Sequence, residues 1–373
     1  MDLSDRLTSV LDVAGTSAPK VDAEGRFPSD AVSELRASGL LGLTLPTDVG
    51  GLGAGPHEFV EVVSALAEAC GSTAMIYLMH SAAAMTLAAA APTGSPDDLL
   101  ASLASGKTLG TLAFSEPGSR SHFWAPVSKA ATAPDGGVRL DARKSWVTSA
   151  GYADVYVVST QSAEQDGVDL YAVPADSAGV AVIGDWQGMG LRGNASNPMS
   201  FTGEVDEGQR VGVVGSGFDL MMQAVLPWFN LGNASVSVGL SRAAAKAAVR
   251  HTSGTELEHL SQSLAALPTI RAQLARMSLE VDSAAAYVDK TAAKLVEPAD
   301  DTMLHVLGAK ALANDAALRV TDTAMRVCGG AAFSAHLQID RMFRDARAGS
   351  VMAPTADVLY DFYGKAITGQ PLF

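Results

Sequence analysis

The chain has 373 residues, 48% of them hydrophobic, and carries a formal net charge of -14 with an isoelectric point near 4.8. This length and composition are sufficient for sizeable packed cores. The acidic balance disfavours nucleic acid and anionic membranes as main partners, because both would repel the chain at long range. The apolar stretch at residues 82–92 is shorter than the about 18 to 20 residues that span a bilayer, and residues 1–6 contain no basic lead into a signal core, so we expect a cytoplasmic protein.

The chain begins with a helical pattern over residues 3–105, interrupted by a turn-rich connector at residues 43–51. Cys70 lies in this part and Cys328 far from it, without CxxC spacing. We therefore expect two buried apolar cysteines rather than a disulfide or a cysteine-based zinc site. No other metal site is expected.

Short β-prone runs follow from residue 110, separated by Gly, Pro, Asp and Ser clusters; they lie at residues 111–114, 138–141, 155–158, 170–173 and 199–201. They predict an antiparallel sheet or small barrel. After Gly217 the helical pattern returns until about Ile367, with expected breaks at residues 253–254, 297–298 and 329–330. Its long Ala-rich helices suit an antiparallel bundle.

Two polar segments of the β-rich part could bind a ligand. Residues 114–121, Phe-Ser-Glu-Pro-Gly-Ser-Arg-Ser, combine turn N–H groups with hydroxyls, which can hold an anion, although such a string is also a common surface turn. Residues 144–154 contain Trp146 and Thr148, which could offer a flat apolar wall and a hydrogen-bond donor. The alternative is a strand tryptophan packed in the sheet core. Residues 188–193 spell G-x-G-x-x-G, but no βαβ unit surrounds them, so a dinucleotide fingerprint is not supported.

Near the C-terminus, Cys328-Gly329-Gly330 is followed by Arg344-Asp345-Ala346-Arg347 and then by Ala353-Pro354-Thr355. With residues 114–121 and 144–154, these segments resemble, in order and spacing, those of the acyl-CoA dehydrogenase superfamily. The resemblance covers nearly the whole chain. It implies an α+β flavoprotein with an N-terminal helical domain (1–108), a middle antiparallel β-barrel or sheet domain (109–215) and a C-terminal four-helix bundle (216–373).

The resemblance also implies FAD as cofactor and a homodimer or homotetramer, since the family shares cofactor contacts between subunits. The residues that match its cofactor-binding positions are Phe114, Ser115, Ser121, Trp146, Thr148, Arg326, Gly329, Gly330 and Thr355. Arg326 stands where a Gln is usual, and the Arg-x-x-Phe element that clamps the diphosphate is not recognisable. FMN or loosely held FAD is therefore an alternative.

The resemblance breaks at the catalytic base. Many family members use a Glu where this chain has Ala353, and others a Glu from an earlier helix, where alignment places Phe229 and Asn230. Neither a methyl group nor a phenyl ring can take a proton. The substrate pocket is expected to be formed by Trp228, Phe229, Asn230 and Ala353.

Three polar residues remain as candidates for a catalytic role at the flavin: His80, Thr148 and Ser149. His80 lies in a helix that contributes to the substrate cavity in this fold, although a histidine among Met and Ala can equally be a satisfied core residue.

The missing base favours a flavin-dependent mono- or dioxygenase of specialised metabolism. Its substrates would be oxygen and a small aromatic or acyl-thioester compound, with a coenzyme A thioester as one option. A separate flavin reductase would then supply electrons. One alternative is an acyl-CoA or acyl-carrier-protein α,β-dehydrogenase with a non-standard base. Another is a flavin-free binding or scaffold protein.

Overall fold

The computed structural model describes residues 2–94, 98–133 and 137–372, which form a helical block, a block of strands and a second helical block. The first block contains two 3-10 turns, at Leu40–Gly42 and Thr47–Val49, and the helices α1 (Leu3–Glu24), α2 (Ser29–Ser38), α3 (Pro56–Ala69), α4 (Gly71–Ala89) and α5 (Leu99–Ala104). Helix α4 is buried on nearly every side, as its Ala- and Met-rich sequence requires. The predicted helical pattern and connector are confirmed.

In the described part of the middle block there are eight strands: β1 (Gly110–Ala113), β2 (Ala131–Thr132), β3 (Val138–Val147), β4 (Val155–Gln161), β5 (Val168–Pro174), β6 (Val180–Val182), β7 (Asn197–Val205) and β8 (Arg210–Val211). They form two four-stranded sheets, in the orders β1-β4-β5-β8 and β2-β3-β7-β6. The β-prone runs thus become strands, but the described strands close no barrel. The purely antiparallel arrangement was also wrong, because β1 and β4 pair in parallel. The connection from β1 to β4, residues 114–154, crosses to the other sheet and returns. Its 41 residues are enough to join two parallel strands.

The third block begins with helix α6 (Gly217–Leu220) and a π-helical turn (Met221–Val225). The remaining helices are α7 (Leu226–Gly254), α8 (Pro268–Val296), α9 (Thr302–Cys328), α10 (Gly330–Phe333), α11 (Ile339–Val351) and α12 (Ala356–Ile367), and two short strands, β9 (Glu256–Leu257) and β10 (Gln262–Ser263), follow α7. Helices α7, α8, α9 and α11 pack as the predicted bundle. The three expected breaks coincide with the ends of α7, α8 and α9.

A large apolar core joins α3 and α4 to α7 and α9, and a second core fills the space between the two sheets. Gly71 permits a close approach of α4 to α11, since a Cβ there would lie 2.9 Å from Asp345 Oδ2. Cys70 and Cys328 are both buried and unpaired, as expected. None of the described helices is long and apolar enough to cross a membrane.

Candidate active site

A cavity of about 1050 Å³ lies where helix α4, the strand block and the bundle meet. Small-molecule sites usually measure about 300 to 1,000 Å³, so this one has room for a large planar ligand and a second small molecule. The sequence-predicted residues that line it are Phe114, Ser115, Trp146, Thr148, Phe229 and Ala353.

The turn after β1 is fixed by Glu116, which lines the cavity but is 6% exposed. Its carboxylate accepts hydrogen bonds from Val127 N at 2.5 Å and from Ser128 N at 2.8 Å, and a further one from Ser128 Oγ. The Ser119 hydroxyl accepts from Glu116 N and donates to Glu116 O. This turn therefore has a single well-defined backbone path.

Lys144 on β3 completes the anchoring. Its buried ammonium lies 2.5 Å from Glu116 Oε1 and also donates to Ser159 O at 2.5 Å. Burial raises the pKa of the Glu116 carboxyl, but Lys144 and the Ser128 donors outweigh it and hold the pKa below its ordinary value. Burial lowers the pKa of Lys144 to about 8, against the attraction of Glu116. The result is a buried ion pair at neutral pH, and Glu116 has a structural role.

Trp146 is turned into the cavity by an irregularity in β3. The register with β7 shifts between Lys144 and Val147, and Trp146 adopts a left-handed backbone with φ 58°. Its side chain is 62% exposed and meets the ring of Trp186 edge-on at 5.7 Å. The alternative of a tryptophan packed in the sheet core is thereby excluded.

Thr148 and Ser149 are placed on opposite sides of the chain. Thr148 lines the cavity, and its hydroxyl lies 3.1 Å from that of Ser196, another lining residue. Ser149 is 1% exposed, donates its N–H to Asn194 O and does not line the cavity. Residues 148–150 form a turn in which Ser149 has a left-handed backbone with φ 60°, and its side chain is buried away from the cavity, so the predicted catalytic role of Ser149 has no geometric support.

His80 is also removed from the cavity. It is fully buried, its Nδ1 accepts a 3.0 Å hydrogen bond from Gly110 N, and its Nε2 therefore donates to Leu41 O at 3.1 Å. Burial lowers the pKa of His80 to about 4, despite the bond with Leu41. Because both ring nitrogens are hydrogen-bonded, His80 is a satisfied core residue, and the catalytic role predicted for it was wrong.

Phe229 and Ala353 line one part of the cavity, whereas Trp228 and Asn230 do not. Trp228 packs edge-on against Phe59 with ring centroids 5.2 Å apart, and Asn230 Nδ2 donates to Val306 O at 3.4 Å. Successive helix residues project about 100° apart, and in helix α7 the direction of Phe229 is the one that faces the cavity. The pocket role of Trp228 and Asn230 was wrong.

Three methionines complete this apolar end and were missed by sequence reasoning. Met75 and Met79 project from successive turns of α4, and Met352 precedes Ala353. The i, i+4 spacing of the first two was the available signal. Beneath Met352, the buried Lys310 ammonium donates to the carbonyls of Gly349, Met352 and Pro354 at 3.1, 3.1 and 2.7 Å, and burial lowers its pKa to about 7.

The predicted cofactor residues of the C-terminal half lie outside the cavity wall. Thr355 N donates to Ser121 Oγ at 2.8 Å, and their hydroxyls are 2.9 Å apart, so the structure joins two predicted residues 234 positions apart. Arg326, Gly329 and Gly330 are exposed at the end of α9. Their cofactor roles stay predictions.

Among the described residues that line the cavity, Glu116 is the only carboxylate, and histidine does not occur there. Glu116 is held by Lys144 and three further hydrogen-bond donors, so it is not available as a base. In the same described ranges, no group of three or more His, Cys, Asp or Glu side chains is arranged to hold a metal ion. The described lining residues give the cavity an apolar wall, hydroxyl groups from Ser115, Ser145, Thr148 and Ser196, and no free carboxylate or histidine that could act as a base.

Comparison with known families accounts for this arrangement. Residues 11–107, 111–203 and 215–368 match the N-terminal, middle and C-terminal domains of acyl-CoA dehydrogenase. The chain belongs to the acyl-CoA dehydrogenase family. The curated relatives described below are less than 30% identical to it.

Two relatives show the range of this acyl-CoA dehydrogenase family. The probable acyl-CoA dehydrogenase YngJ of Bacillus subtilis is 27% identical, with 91% of this chain and 90% of that protein covered. L-evernosamine nitrososynthase of a Micromonospora strain is 28% identical, with 94% and 86% covered.

Two solved structures share the whole architecture. Butyryl-CoA dehydrogenase of Megasphaera elsdenii superposes with a TM-score of 0.91 at 23% identity, covering 99% of this chain and 100% of that one. The FAD complex of PigA gives 0.89 at 18% identity, covering 99% of each chain. These likenesses concern the fold.

Proposed function

We propose that this protein is an FAD-dependent oxidoreductase that acts as an oxygenase on a small aromatic or acyl-thioester compound. Bound FAD would supply the redox chemistry, accepting and passing on electrons. Trp146, Thr148, Phe114 and Ser115 would hold its ring system. FAD is favoured over FMN because a solved structure with this fold is an FAD complex.

The residues present fit such a planar group. A 62% exposed indole facing a cavity is costly in water, and a flat ring laid against it would cover that surface. The paired hydroxyls of Thr148 and Ser196 provide hydrogen bonds beside the indole. The fixed turn at Ser115 adds polar backbone to an otherwise apolar wall.

The observation that carries the oxygenase proposal is the unavailability of a base. Dehydrogenation of an acyl thioester begins with removal of a proton from its α-carbon, which needs an acceptor within hydrogen-bond reach. Ala353 and Phe229 stand at the two positions where the family resemblance expects a base, and the one lining carboxylate is occupied. Oxygen chemistry does not require that proton acceptor.

The chain's own groups suit such a reaction. Met75, Met79 and Phe229 make the substrate end apolar, so they would bind an aromatic or acyl group and exclude water. Thr148 and Ser196 could donate a hydrogen bond to negative charge that develops during the reaction.

A second candidate is an α,β-dehydrogenase that takes its base from elsewhere or acts on an acidic substrate. The observation in its favour is that most of the curated relatives are dehydrogenases, including cyclohex-1-ene-1-carbonyl-CoA dehydrogenase of Syntrophus aciditrophicus at 28% identity. The third reading, a flavin-free scaffold, would leave the exposed indole without a purpose.

Cofactor identity and oxygen dependence test the proposal in turn. We expect the purified protein to be yellow and to release FAD, identified by mass. With chemically reduced FAD supplied, product formation from candidate substrates should require oxygen. Equal product formation under strictly anaerobic conditions would reject the oxygenase, and a colourless protein that takes up no added flavin would favour the scaffold. The partner reductase and the oligomeric state are part of the proposal, and sedimentation of the flavin-loaded protein measures the latter.

A further inference from the structure

Arg120 is a lining residue of the cavity in an unusual backbone conformation. It lies on the turn that follows β1, is exposed, and has φ 49°, in the left-handed region. A non-glycine residue is strained in that region, and glycine would avoid the strain. The chain uses glycine two residues earlier, at Gly118 with φ 100°, so the arginine side chain is retained at a position where its backbone is strained.

The other cations that line or border the cavity already have partners. Arg344 donates to Asp22 at 2.8 and 2.5 Å and to Asp340 at 3.0 Å. Arg347 lies 3.5 Å over the ring of Phe343 and donates to Thr321 Oγ1 at 2.8 Å. Lys144, which borders the cavity, is paired with Glu116.

Arg120 differs from these residues. Within residues 2–94, 98–133 and 137–372 it forms no ion pair with a carboxylate, and the only lining carboxylate is taken by Lys144. In a chain of net charge -14, a guanidinium that faces a cavity without an anionic partner indicates that the partner is brought by a ligand.

We propose that Arg120 forms an anion subsite of the cavity that binds a phosphoryl group. Guanidinium binds phosphate oxygens through two parallel N–H donors, and this pairing is among the strongest that a side chain offers. The turn is held by Glu116 from within, through Ser119 and Ser128, so its backbone is ordered before a ligand arrives and the Arg120 side chain is free to bind.

The phosphoryl group has two potential sources: the diphosphate of the flavin cofactor or the phosphate of a pantetheine-type carrier on the substrate. The first source rests on the proposed flavin function, whereas the second does not. Both sources share the same chemistry, and affinity measurements with matched ligands separate them.

The experiment compares wild type, Arg120→Gly, Arg120→Gln and the control Arg139→Gln, an exposed arginine on β3 outside the cavity. Dissociation constants are measured by calorimetry for FAD, FMN and riboflavin, and for 4′-phosphopantetheine against pantetheine. Thermal unfolding is recorded in parallel. Arg120→Gly should unfold at the same or a higher temperature than wild type, because it relieves the left-handed strain, so weaker binding cannot be attributed to misfolding.

If the phosphoryl group belongs to the cofactor, both Arg120 variants bind FAD about tenfold or more weakly than wild type, and their affinity for riboflavin is unchanged. If the source is the carrier, the flavins bind as in wild type and only 4′-phosphopantetheine weakens by that factor. Either result supports the subsite.

Three results would overturn it: wild-type affinities in both Arg120 variants, an equal loss for riboflavin and FAD, or a wild type that binds none of the five ligands. A wild type that binds 4′-phosphopantetheine through Arg120 but no flavin would reject the proposed function and leave the subsite standing.

Discussion

The ammonium of Lys144 lies 2.5 Å from Glu116 Oε1, and this buried pair joins the two segments that line one side of the cavity. Glu116 fixes the turn that carries Ser115, and Lys144 stands directly before the irregular stretch that exposes Trp146. The indole and the polar turn are therefore held at one spacing by this ion pair, together with the 2.8 Å hydrogen bond from Ser145 N to Ser115 O.

Replacing Lys144 by methionine should destabilise the protein. The substitution leaves a buried carboxylate without its counter-ion, which typically costs about 3 to 5 kcal/mol of unfolding free energy. Urea unfolding at pH 7 measures it. The double variant Lys144→Met/Glu116→Gln should recover part of the loss, because the neutral amide needs no counter-ion. A loss below about 1 kcal/mol in the single variant would show that the pair does not hold the turn.

Replacing Trp146 by alanine should weaken flavin binding while stability changes little. The indole is 62% exposed, so its removal should change the unfolding free energy by no more than about 0.5 kcal/mol. The lost stacking surface should weaken flavin about tenfold or more in a fluorescence titration. Leu279→Ala, which removes a 67% exposed apolar side chain from α8, is the control. Flavin affinity equal in both variants would show that the ring does not lie against Trp146.

His80 should make the protein less stable as the pH falls from 6.5 to 4. The folded chain keeps this histidine neutral down to about pH 4, whereas the unfolded chain takes up a proton near 6.5, so stability rises with pH inside that window and is lost below it. The contribution is about 3 kcal/mol. His80→Gln can retain the bond to Leu41 and cannot titrate, and the raised pKa of Asp345, about 6, acts in both proteins and cancels. Parallel pH profiles of unfolding free energy for the two proteins would contradict this assignment.

The elements of the fold were largely readable from local sequence. Ala-rich periodicity and Gly or Pro breaks located α7, α8 and α9, since both act within a few residues. The parallel pairing of Gly110 with Val155 was not readable, because it depends on where the intervening 44 residues travel. Pairing over such a distance leaves no local signal.

The site was readable where residue type and backbone direction agree. Trp146 and Thr148 lie two residues apart and both reach the cavity, whereas Ser149 faces the other way. The catalytic role predicted for His80 was wrong because its hydrogen-bond partners could not be seen in the local sequence. Leu41 and Gly110 are 39 and 30 residues away along the chain. The sequence alone offered no reason to single out Arg120, because its cavity position and left-handed backbone are properties of the folded chain.

Introducing a carboxylate at Ala353 should confer dehydrogenase chemistry. Ala353 lines the cavity and is partly exposed, so a longer side chain has room there. Under anaerobic conditions, acyl-CoA should reduce the bound flavin of the Ala353→Glu variant at least about 100-fold faster than that of Ala353→Gln. The glutamine has the same shape and cannot accept the proton. Equal rates in the two variants would mean that no substrate α-carbon approaches residue 353.

Whether the flavin cavity lacks an available base can be tested in a stopped-flow instrument. The FAD-loaded wild type is mixed anaerobically with a panel of acyl-CoA thioesters. We expect the visible absorbance of the oxidised flavin to persist throughout, because none of the described lining residues can remove the α-proton. Rapid bleaching by any of these thioesters would show that the wild-type chain supplies a base after all and would contradict the claim.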